Sequence, residues 1–203
     1  MKILPVSDAA IAEALEVLRD GGIVGHATET CYGFACDLTN RDAVTNLFIL
    51  KARPFDQPVS GLFSSLEEAK KYVVWNDRAK ELAMKHLPGP LTLVLPMNPH
   101  APMALSIVPT TYNLQPTPSL GLRVSSHPLA MKLAAGFGKP LSTTSANLHG
   151  KPNPYGASDI AAQFEGEAVQ PDLILDSGTL PPTPPSTVIN LTNGGGVLRK
   201  GTL

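Results

Sequence analysis

Apolar residues recur at helical spacing in six short stretches of the chain, each opened by a plausible capping residue or closed by glycine or proline. Ser7, Asn40 and Ser65 precede three of these stretches, and the Ser65–Glu68 spacing is that of a capping box. Gly21-Gly22 ends the first stretch and Pro54 is predicted to stop the second. The predicted helices cover about 8–20, 40–53, 65 onwards, 76–86, 128–137 and 157–164.

Between the helices lie short apolar runs of strand length, bounded by Gly, Pro and Asn. The predicted strands are 23–26, 59–63, 91–95, 120–124, 141–143, 173–175, 187–191 and 197–199. Residues 27–39 are polar or small and are predicted to form a loop. Helices and strands interleave irregularly, which favours a single α/β domain over residues 1–203 with a mixed sheet. A long segment with six prolines, 96–119, has no period and is typical of a functional or mobile loop.

Composition excludes several classes of protein. The 203 residues are 43 % hydrophobic and 16 % charged, too few charges for a coiled coil or a disordered tail. A net charge of -1 excludes a protein that is basic on all sides. The N-terminus lacks the apolar run of a signal peptide, and no run is long enough to span a membrane. Two cysteines, Cys31 and Cys36, are too few for a disulfide framework or a structural zinc site, so a reduced, cytoplasmic enzyme or binding protein is expected.

The order of the charges is more informative than their sum. Residues 82–158 contain no Asp or Glu, yet they carry five Lys or Arg residues and four of the five His residues. Such a stretch does not repel anions, so it favours a ligand that bears phosphate or carboxylate groups. The alternative is a stretch that is merely apolar and rich in proline.

Four short motifs hold the residues suited to binding such a ligand, while the common nucleotide and hydrolase signatures are missing. Residues 28–33, TETCYG, follow a strand, where α/β sheets bind ligands, although a polar turn would look the same. Lys51 and Arg53 could clamp phosphates, or could simply complement the dipole of the preceding helix. Residues 143–147, TTSAN, offer hydroxyls and an amide to a ligand, or could simply satisfy the backbone of a polar loop. The tail contributes residues 185–188 and 198–201 as the fourth motif. Its alternative interpretation is two edge strands with an exposed cationic end.

Taken in order, seven blocks of the chain resemble the threonylcarbamoyl-AMP synthase family, the YrdC-like domain, in its short single-domain bacterial form. The resemblance runs from about residue 21 to 201. The blocks are ATETCYGFA (27–35), KARP (51–54), PGPLTLVL (88–95), LRVSSHP (122–128), TSANLHG (144–150), PSTVIN (185–190) and LRKG (198–201).

The resemblance implies a fold and an activity. The family fold is a twisted, mostly mixed sheet surrounded by helices, with a large, positively charged concave cavity. Its members make L-threonylcarbamoyl-AMP and pyrophosphate from ATP, L-threonine and bicarbonate, with Mg²⁺ carried by the ATP and no metal site of the protein implied. A tRNA threonylcarbamoyl-transferase machinery then uses the product on tRNA, and members are also reported to bind tRNA or double-stranded RNA. Such a reaction needs positioning and electrostatics rather than a protein nucleophile.

Carried over by position, the resemblance assigns two sets of site residues. Lys51 and Arg53 are implied to be catalytic and to hold the ATP phosphates. The implied nucleotide-binding residues are Lys51, Arg53, Gln57, Ser119, Ser145, Asn147 and Arg199, and the implied threonine-binding residues are Thr30, Arg123, Thr143 and Ser186. Glu29 is hypothesised to orient the threonine amine.

Among the departures from the family pattern, Cys31 and Phe34 are mild apolar changes. Three others are larger: Ala27 replaces a proline, Asn190 replaces an acidic residue, and Leu62 stands where longer members have a threonine-binding histidine. Two other functions stay open at this point. One is a catalytically silent RNA-binding paralogue of the same fold, which would not need both the Lys-x-Arg and Ser-x-Asn motifs. The other is a transferase for a different carbamoyl adenylate, as in hydrogenase maturation, for whose fused segments 203 residues leave no room.

Overall fold

The computed structural model describes residues 1–108, 118–192 and 195–203, and these form six helices and ten strands. The helices are α1 (Asp8–Arg19), α2 (Arg41–Leu50), α3 (Leu66–Ala69), α4 (Asp77–His86), α5 (Pro128–Phe137) and α6 (Ala157–Phe164). The strands are β1 (Lys2–Pro5), β2 (Val24–Ala27), β3 (Tyr32–Ala35), β4 (Ser60–Leu62), β5 (Leu91–Pro96), β6 (Ser119–Arg123), β7 (Leu141–Ser145), β8 (Leu173–Asp176), β9 (Thr187–Asn190) and β10 (Gly196–Arg199).

The helix starts follow from side-chain caps that the sequence predicts. Ser7 accepts a hydrogen bond from the Ala10 amide, and Asn40 and Ser65 do the same at α2 and α3. The end of α2 differs from the prediction. The helix stops at Leu50 and not at Pro54, because the chain turns into the left-handed region at Ala52, with φ of 48°.

The ten strands form one mixed sheet in the order β1-β8-β2-β3-β7-β4-β6-β5-β9-β10. Parallel pairs (β1–β8, β2–β8, β4–β6, β5–β9) alternate irregularly with antiparallel pairs such as β2–β3, β3–β7 and β5–β6. The α/β class with a mixed sheet is therefore confirmed.

Strand β3 shows that the prediction of a loop over residues 27–39 is wrong. Residues Tyr32–Ala35 pair antiparallel with β2 on one side and with β7 on the other. All four are buried, so they lack the alternation of apolar and polar residues by which a half-exposed strand is identified. Gly33 fits here because a Cβ atom would lie 3.0 Å from the Thr144 carbonyl oxygen of the neighbouring strand. Strand β1 is also absent from the prediction.

Apolar clusters cover both faces of the sheet. Phe34 packs in a cluster with α2 and α6, whereas its neighbour Ala35 packs in a second cluster with α1 and α5. Successive strand residues point to opposite faces, so the two clusters lie on opposite sides of the sheet. A third cluster joins α3 and α4 to β5 and β6. Within the described part of the chain, no helix has the length and apolar character needed to cross a membrane.

The described part of the proline-rich segment is anchored to the body of the protein. The Ile107 carbonyl accepts a hydrogen bond from the Val59 amide at 2.9 Å, and Ser106 donates to the Leu38 carbonyl at 2.7 Å. Residues 109–117 lie outside the described residues. A functional or mobile role for segment 96–119 therefore remains a prediction.

His26 on β2 gives the fold a testable acid sensitivity. The ring is fully buried, and burial lowers the pKa of His26 from 6.5 to about 4. The unfolded chain then binds more protons than the folded one between these values, so stability falls as the pH drops from about 6.5 towards 4. We expect His26→Gln to reduce the loss of unfolding free energy between pH 7 and 4.5 by about 2 kcal/mol. Denaturant unfolding at both pH values measures this. The same loss in wild type and variant would contradict it, and exposed His100→Gln is the matched control.

Candidate active site

A cavity of about 460 Å³ opens on one face of the sheet, over its central strands. Its floor is a row of small and medium side chains from adjacent strands: Thr143, Ser60, Gly121, Val94 and Asn190. Strand register puts them in line, since Thr143 is paired with Ser60, Gly121 with Val94, and Val94 with Asn190. The sheet thus supplies a rigid floor, and the loops at its edge supply the charged groups.

The described wall of this cavity is cationic and rich in hydroxyl groups. Three arginines, Arg53, Arg123 and Arg199, line it, and the described lining contains no Asp or Glu. A concave surface of one sign concentrates ligands of the opposite sign. The serine and threonine hydroxyls of the lining belong to Thr28, Thr30, Ser60, Thr92, Ser119, Thr143, Thr144, Ser145 and Ser186. Such a wall suits phosphate and carboxylate groups.

The loop between β2 and β3 is ordered by Thr28. Its hydroxyl accepts hydrogen bonds from the amides of Thr30 and Cys31 at 3.2 and 3.3 Å and donates to the Cys31 carbonyl at 2.7 Å. This tight turn presents the Thr30 hydroxyl to the cavity, where it accepts a 3.0 Å hydrogen bond from Arg123. Residues 28–33 therefore fit both interpretations of TETCYG, as a polar turn and as a ligand-binding loop, because the turn that follows the strand also lines the cavity.

Arg123 is fixed in place by an ion pair with Glu29. Nη2 donates to Glu29 Oε1 at 2.8 Å, with side-chain exposures of 9 % and 15 %. Burial raises the pKa of Glu29, but Arg123 and the Ser125 hydroxyl outweigh it, so the net pKa lies below the ordinary value. Glu29 is therefore ionised at neutral pH. The hypothesis that Glu29 contacts the threonine amine requires it to line the cavity. Glu29 is not among the lining residues.

Lys51 lies behind the cavity wall. It is 2 % exposed, and its ammonium donates to the carbonyl oxygens of Ser145 and Asn147 at 2.5 and 2.6 Å. Burial, reinforced by the charge of Arg53, lowers the pKa of Lys51 to about 7. Asn147 also points inwards, donating to the carbonyls of Leu148 and Lys151. Lys51 and Asn147 thus build the loop whose Ser145 faces the cavity.

Arg53 lines the cavity from the segment after α2. Its Nε donates to the Gln57 carbonyl at 2.9 Å and its Nη2 to the Pro58 carbonyl at 3.0 Å, while the group lies over the Phe48 ring. Gln57 therefore contributes its backbone, and its side chain is exposed and off the wall.

Arg199 reaches the cavity from β10 and fastens the tail to Ser186. Its Nε donates to the Ser186 carbonyl and its Nη2 to the Ser186 hydroxyl, both at 2.9 Å, and that hydroxyl lies 3.2 Å from the Thr92 hydroxyl. The chain can pass this close because of Gly201, where a Cβ atom would lie 1.9 Å from the Pro185 carbonyl oxygen.

The structure brings most of the sequence-predicted site residues together. On the wall are Thr30, Arg53, Ser119, Arg123, Thr143, Ser145, Ser186 and Arg199, whereas Lys51, Gln57 and Asn147 lie off it. Sequence reasoning missed Ser60, Thr92 and Asn153 as lining residues. Thr92 carried a signal, being one polar residue inside the apolar run LTLVL.

The three larger departures from the family pattern occupy different surroundings. Asn190 lies on the cavity floor, and its amide oxygen accepts from the backbone amide and hydroxyl of Thr192. Leu62 is 1 % exposed and packs in the cluster with α1 and α5, off the wall. Ala27 is fully buried in the cluster with α2 and α6. Among the described residues, no three His, Cys, Asp or Glu side chains gather as a metal site.

Gly121 keeps the cavity floor open, and its replacement tests that geometry. A Cβ atom there would lie 2.3 Å from Ser60 Oγ. We expect Gly121→Ala to displace Ser60, to lower the unfolding free energy by about 1–3 kcal/mol and to weaken ligand binding. Gly196→Ala is the control, because no described atom lies within 4 Å of a Cβ built there. The double variant Gly121→Ala/Ser60→Gly should recover both properties. If it recovers neither, the clash is not the cause.

Comparison with known proteins agrees with this geometry. The Sua5/YciO/YrdC family, described as "Telomere recombination", matches residues 16–201. A protein named threonylcarbamoyl-AMP synthase from Klebsiella pneumoniae is 34 % identical over 158 residues, which cover 76 % of this chain and 79 % of the relative. The chain therefore belongs to the Sua5/YciO/YrdC family.

Two solved structures extend the match over the whole fold. The structure of P. abyssi Sua5 complexed with L-threonine has a TM-score of 0.84 and 30 % identity, covering 100 % of this chain and 57 % of that one. E. coli YciO has a TM-score of 0.81 and 25 % identity, covering 99 % and 94 %. This chain thus spans little more than half of P. abyssi Sua5 and nearly all of YciO.

Proposed function

We propose that this protein is an L-threonylcarbamoyladenylate synthase, which makes threonylcarbamoyl-AMP and pyrophosphate from MgATP, L-threonine and bicarbonate. The observation that carries the proposal is the cavity wall with three arginines, nine serine and threonine side chains and no acidic residue in its described lining. Relatives named threonylcarbamoyl-AMP synthase, and the P. abyssi Sua5 structure complexed with L-threonine, support it.

The reaction suits such a site because the substrates supply the reacting groups. The threonine amine adds to CO₂ derived from bicarbonate and loses a proton, giving a carbamate. A carbamate oxygen then attacks the α-phosphorus of ATP, and pyrophosphate leaves as the P–O bond breaks. The protein's task is to hold the two reactants in line and to balance the negative charge of the phosphates.

The proposed roles divide the wall into two regions. Arg123 pairs with the threonine carboxylate, with Thr30, Thr143 and Ser186 beside it. Arg53 and Arg199 face the nucleotide, together with Ser119 and Ser145. Of the pair implied to be catalytic, Arg53 acts directly on the phosphates, whereas Lys51 acts by holding Ser145 in place. Asn147 shares that role, and Gln57 acts by fixing Arg53 through its carbonyl.

The magnesium ion enters in this proposal as part of the substrate MgATP. Mg²⁺ usually keeps several waters and binds through substrate phosphates, with one or two carboxylates. The described cavity lining supplies hydroxyls and amides without a carboxylate, which fits an ion held by ATP oxygens and water.

Pyrophosphate release tests the proposed activity. Purified protein is incubated with MgATP, adding L-threonine and bicarbonate singly and together. Pyrophosphate release that requires both L-threonine and bicarbonate supports the proposal. We further propose that the product passes to a tRNA-modifying transferase. Absence of release from folded protein, with RNA affinity that falls steeply with salt, would instead indicate an RNA-binding paralogue. A cytoplasmic location stays a prediction.

Arg53→Ala tests the nucleotide region. Removing a guanidinium that stabilises developing phosphate charge is expected to lower kcat by about 100-fold, as for a lost oxyanion donor. Arg78→Ala is the matched control, because Arg78 is exposed on α4 and pairs only with Glu81 among the described residues. Steady-state pyrophosphate release measures both variants. Equal turnover in Arg53→Ala and wild type would remove Arg53 from the phosphate site.

A further inference from the structure

The guanidinium of Arg123 is buried at the cavity wall with part of its hydrogen-bonding capacity unused. Arg123 is 7 % exposed, and Nη2 donates to Glu29 and Thr30. The Nε atom is buried and has no partner among the described residues. Nη1 donates to no described residue and Arg123 lines the cavity, so this donor is left for an acceptor that enters with a ligand.

The carboxylate that holds Arg123 is itself held on its other side. Glu29 Oε1 accepts from Arg123, and Oε2 accepts from the hydroxyl of Ser125. Ser125 is fully buried, and its oxygen accepts a 3.1 Å hydrogen bond from the His127 amide at the start of α5. A chain of contacts thus runs from the cavity wall through Glu29 to the backbone before α5, linking the β2–β3 loop to the end of β6.

This arrangement leaves Glu29 little freedom to serve as a ligand contact. Both of its oxygens are engaged by protein donors, and the residue does not line the cavity. What the carboxylate does supply is a fixed direction for the guanidinium and a charge that offsets the burial of Arg123. Groups that orient a binding residue in this way lower the entropy lost when the ligand binds.

The geometry points to Glu29, braced by Ser125, as a positioning residue that orients Arg123 towards the carboxylate of the amino-acid substrate. This inference rests on the proposed function for the identity of that substrate. The sequence-based hypothesis of a direct contact between Glu29 and the threonine amine is the alternative that the experiments separate.

The first experiment needs no ligand. In Glu29→Gln and Ser125→Ala, the ¹⁵N signals of the Arg123 guanidinium are compared with those of wild type. Positioning predicts slow rotation of the guanidinium in wild type and at least about 10-fold faster rotation in Glu29→Gln, because the ion pair is lost. Ser125→Ala should show a smaller change in the same direction. Unchanged rotation in both variants overturns the inference, whether or not the proposed activity is found.

The second experiment compares L-threonine with L-threoninol, which keeps the amine and hydroxyl but has no carboxylate. Calorimetry is expected to show about 10-fold weaker L-threonine binding to Glu29→Gln, with L-threoninol and ATP changed less than about twofold. An equal loss for L-threonine and L-threoninol would indicate an amine contact and overturn the inference. If wild type binds no L-threonine, the proposed function fails, and the guanidinium rotation still decides the role of Glu29.

Glu68→Gln is the matched control for both experiments. Glu68 also accepts a hydrogen bond from a serine hydroxyl, that of Ser64, but it lies off the cavity wall. The same chemical change there should alter neither the rotation of Arg123 nor the preference for L-threonine over L-threoninol. A matching loss in Glu68→Gln would show that the effect of Glu29→Gln is a general one and would overturn the inference.

Discussion

Replacing Arg123 by alanine is expected to lower kcat/KM for L-threonine by roughly 100- to 1,000-fold, the scale of a lost charge-stabilising donor. The guanidinium is the group on the wall that is held by an ion pair while its Nε remains unpartnered among described residues. Alanine removes the charge for the substrate carboxylate. Arg123→Lys keeps the charge but loses the planar fork, so we expect it to recover only part of the activity.

The same replacement is expected to destabilise the fold. It leaves the Glu29 carboxylate buried beside Ser125 without its countercharge, and breaking such a pair costs about 3 kcal/mol. Initial rates at varied L-threonine and urea unfolding measure the two effects. Arg78→Ala, which breaks an exposed ion pair, should change neither. Unaltered L-threonine dependence in Arg123→Ala would refute the carboxylate assignment.

Lys51→Met is expected to lower both stability and ATP affinity, because Lys51 holds the segment at the end of β7. Methionine is unbranched and similar in length, but it cannot donate to the carbonyls of Ser145 and Asn147. Two acceptors are then left without their donor, which costs about 2–4 kcal/mol of unfolding free energy. Because Ser145 faces the cavity from this segment, we also expect KM for ATP to rise about 10-fold.

Unfolding curves and initial rates at varied ATP test the role of Lys51. Lys85→Met on α4 is the control, since Lys85 is exposed and should tolerate the change. A Lys51→Met protein with normal stability but strongly reduced kcat would contradict a supporting role. It would instead place the ammonium on the phosphates, as the Lys-x-Arg motif alone suggests.

The fold was predictable where local signals are strong. Caps such as Ser7 and Asn40 mark helix starts through short-range hydrogen bonds that the sequence shows directly. Strand β3 was not predictable, because its four residues are buried on both faces and carry no alternation. The end of α2 was also misplaced, since the left-handed turn at Ala52 is not encoded by a glycine.

The charge pattern of the sequence predicted a surface suited to anions, which the cavity wall provides, but for a partly wrong reason. Of the five cations in the acid-free stretch, only Arg123 is on the described cavity wall. Lys132 and Lys139 pair instead with Asp8 and Asp37, which come from outside that stretch. The stretch contributes mainly hydroxyls such as Thr143, while the other wall arginines come from elsewhere in the chain.

The sequence motifs do not show whether a side chain faces the cavity or the protein interior. Lys51 and Arg53 stand two residues apart, yet one points behind the wall and the other lines it, because the chain turns between them. At the end of β7 the same holds for Ser145, which lines the cavity, and Asn147, which points inwards. Spacing along the chain places these residues in one region, and only the packed structure shows which of them line the cavity.

The central claim is tested most directly by detecting the product. The protein is incubated with MgATP, L-threonine and ¹³C-bicarbonate, and the mixture is quenched and analysed by mass spectrometry, with Arg123→Ala alongside. The account predicts threonylcarbamoyl-AMP heavier by one mass unit than with ordinary bicarbonate, and at least about 100-fold less in Arg123→Ala. Pyrophosphate release without the labelled adenylate, or equal product from Arg123→Ala, would contradict it.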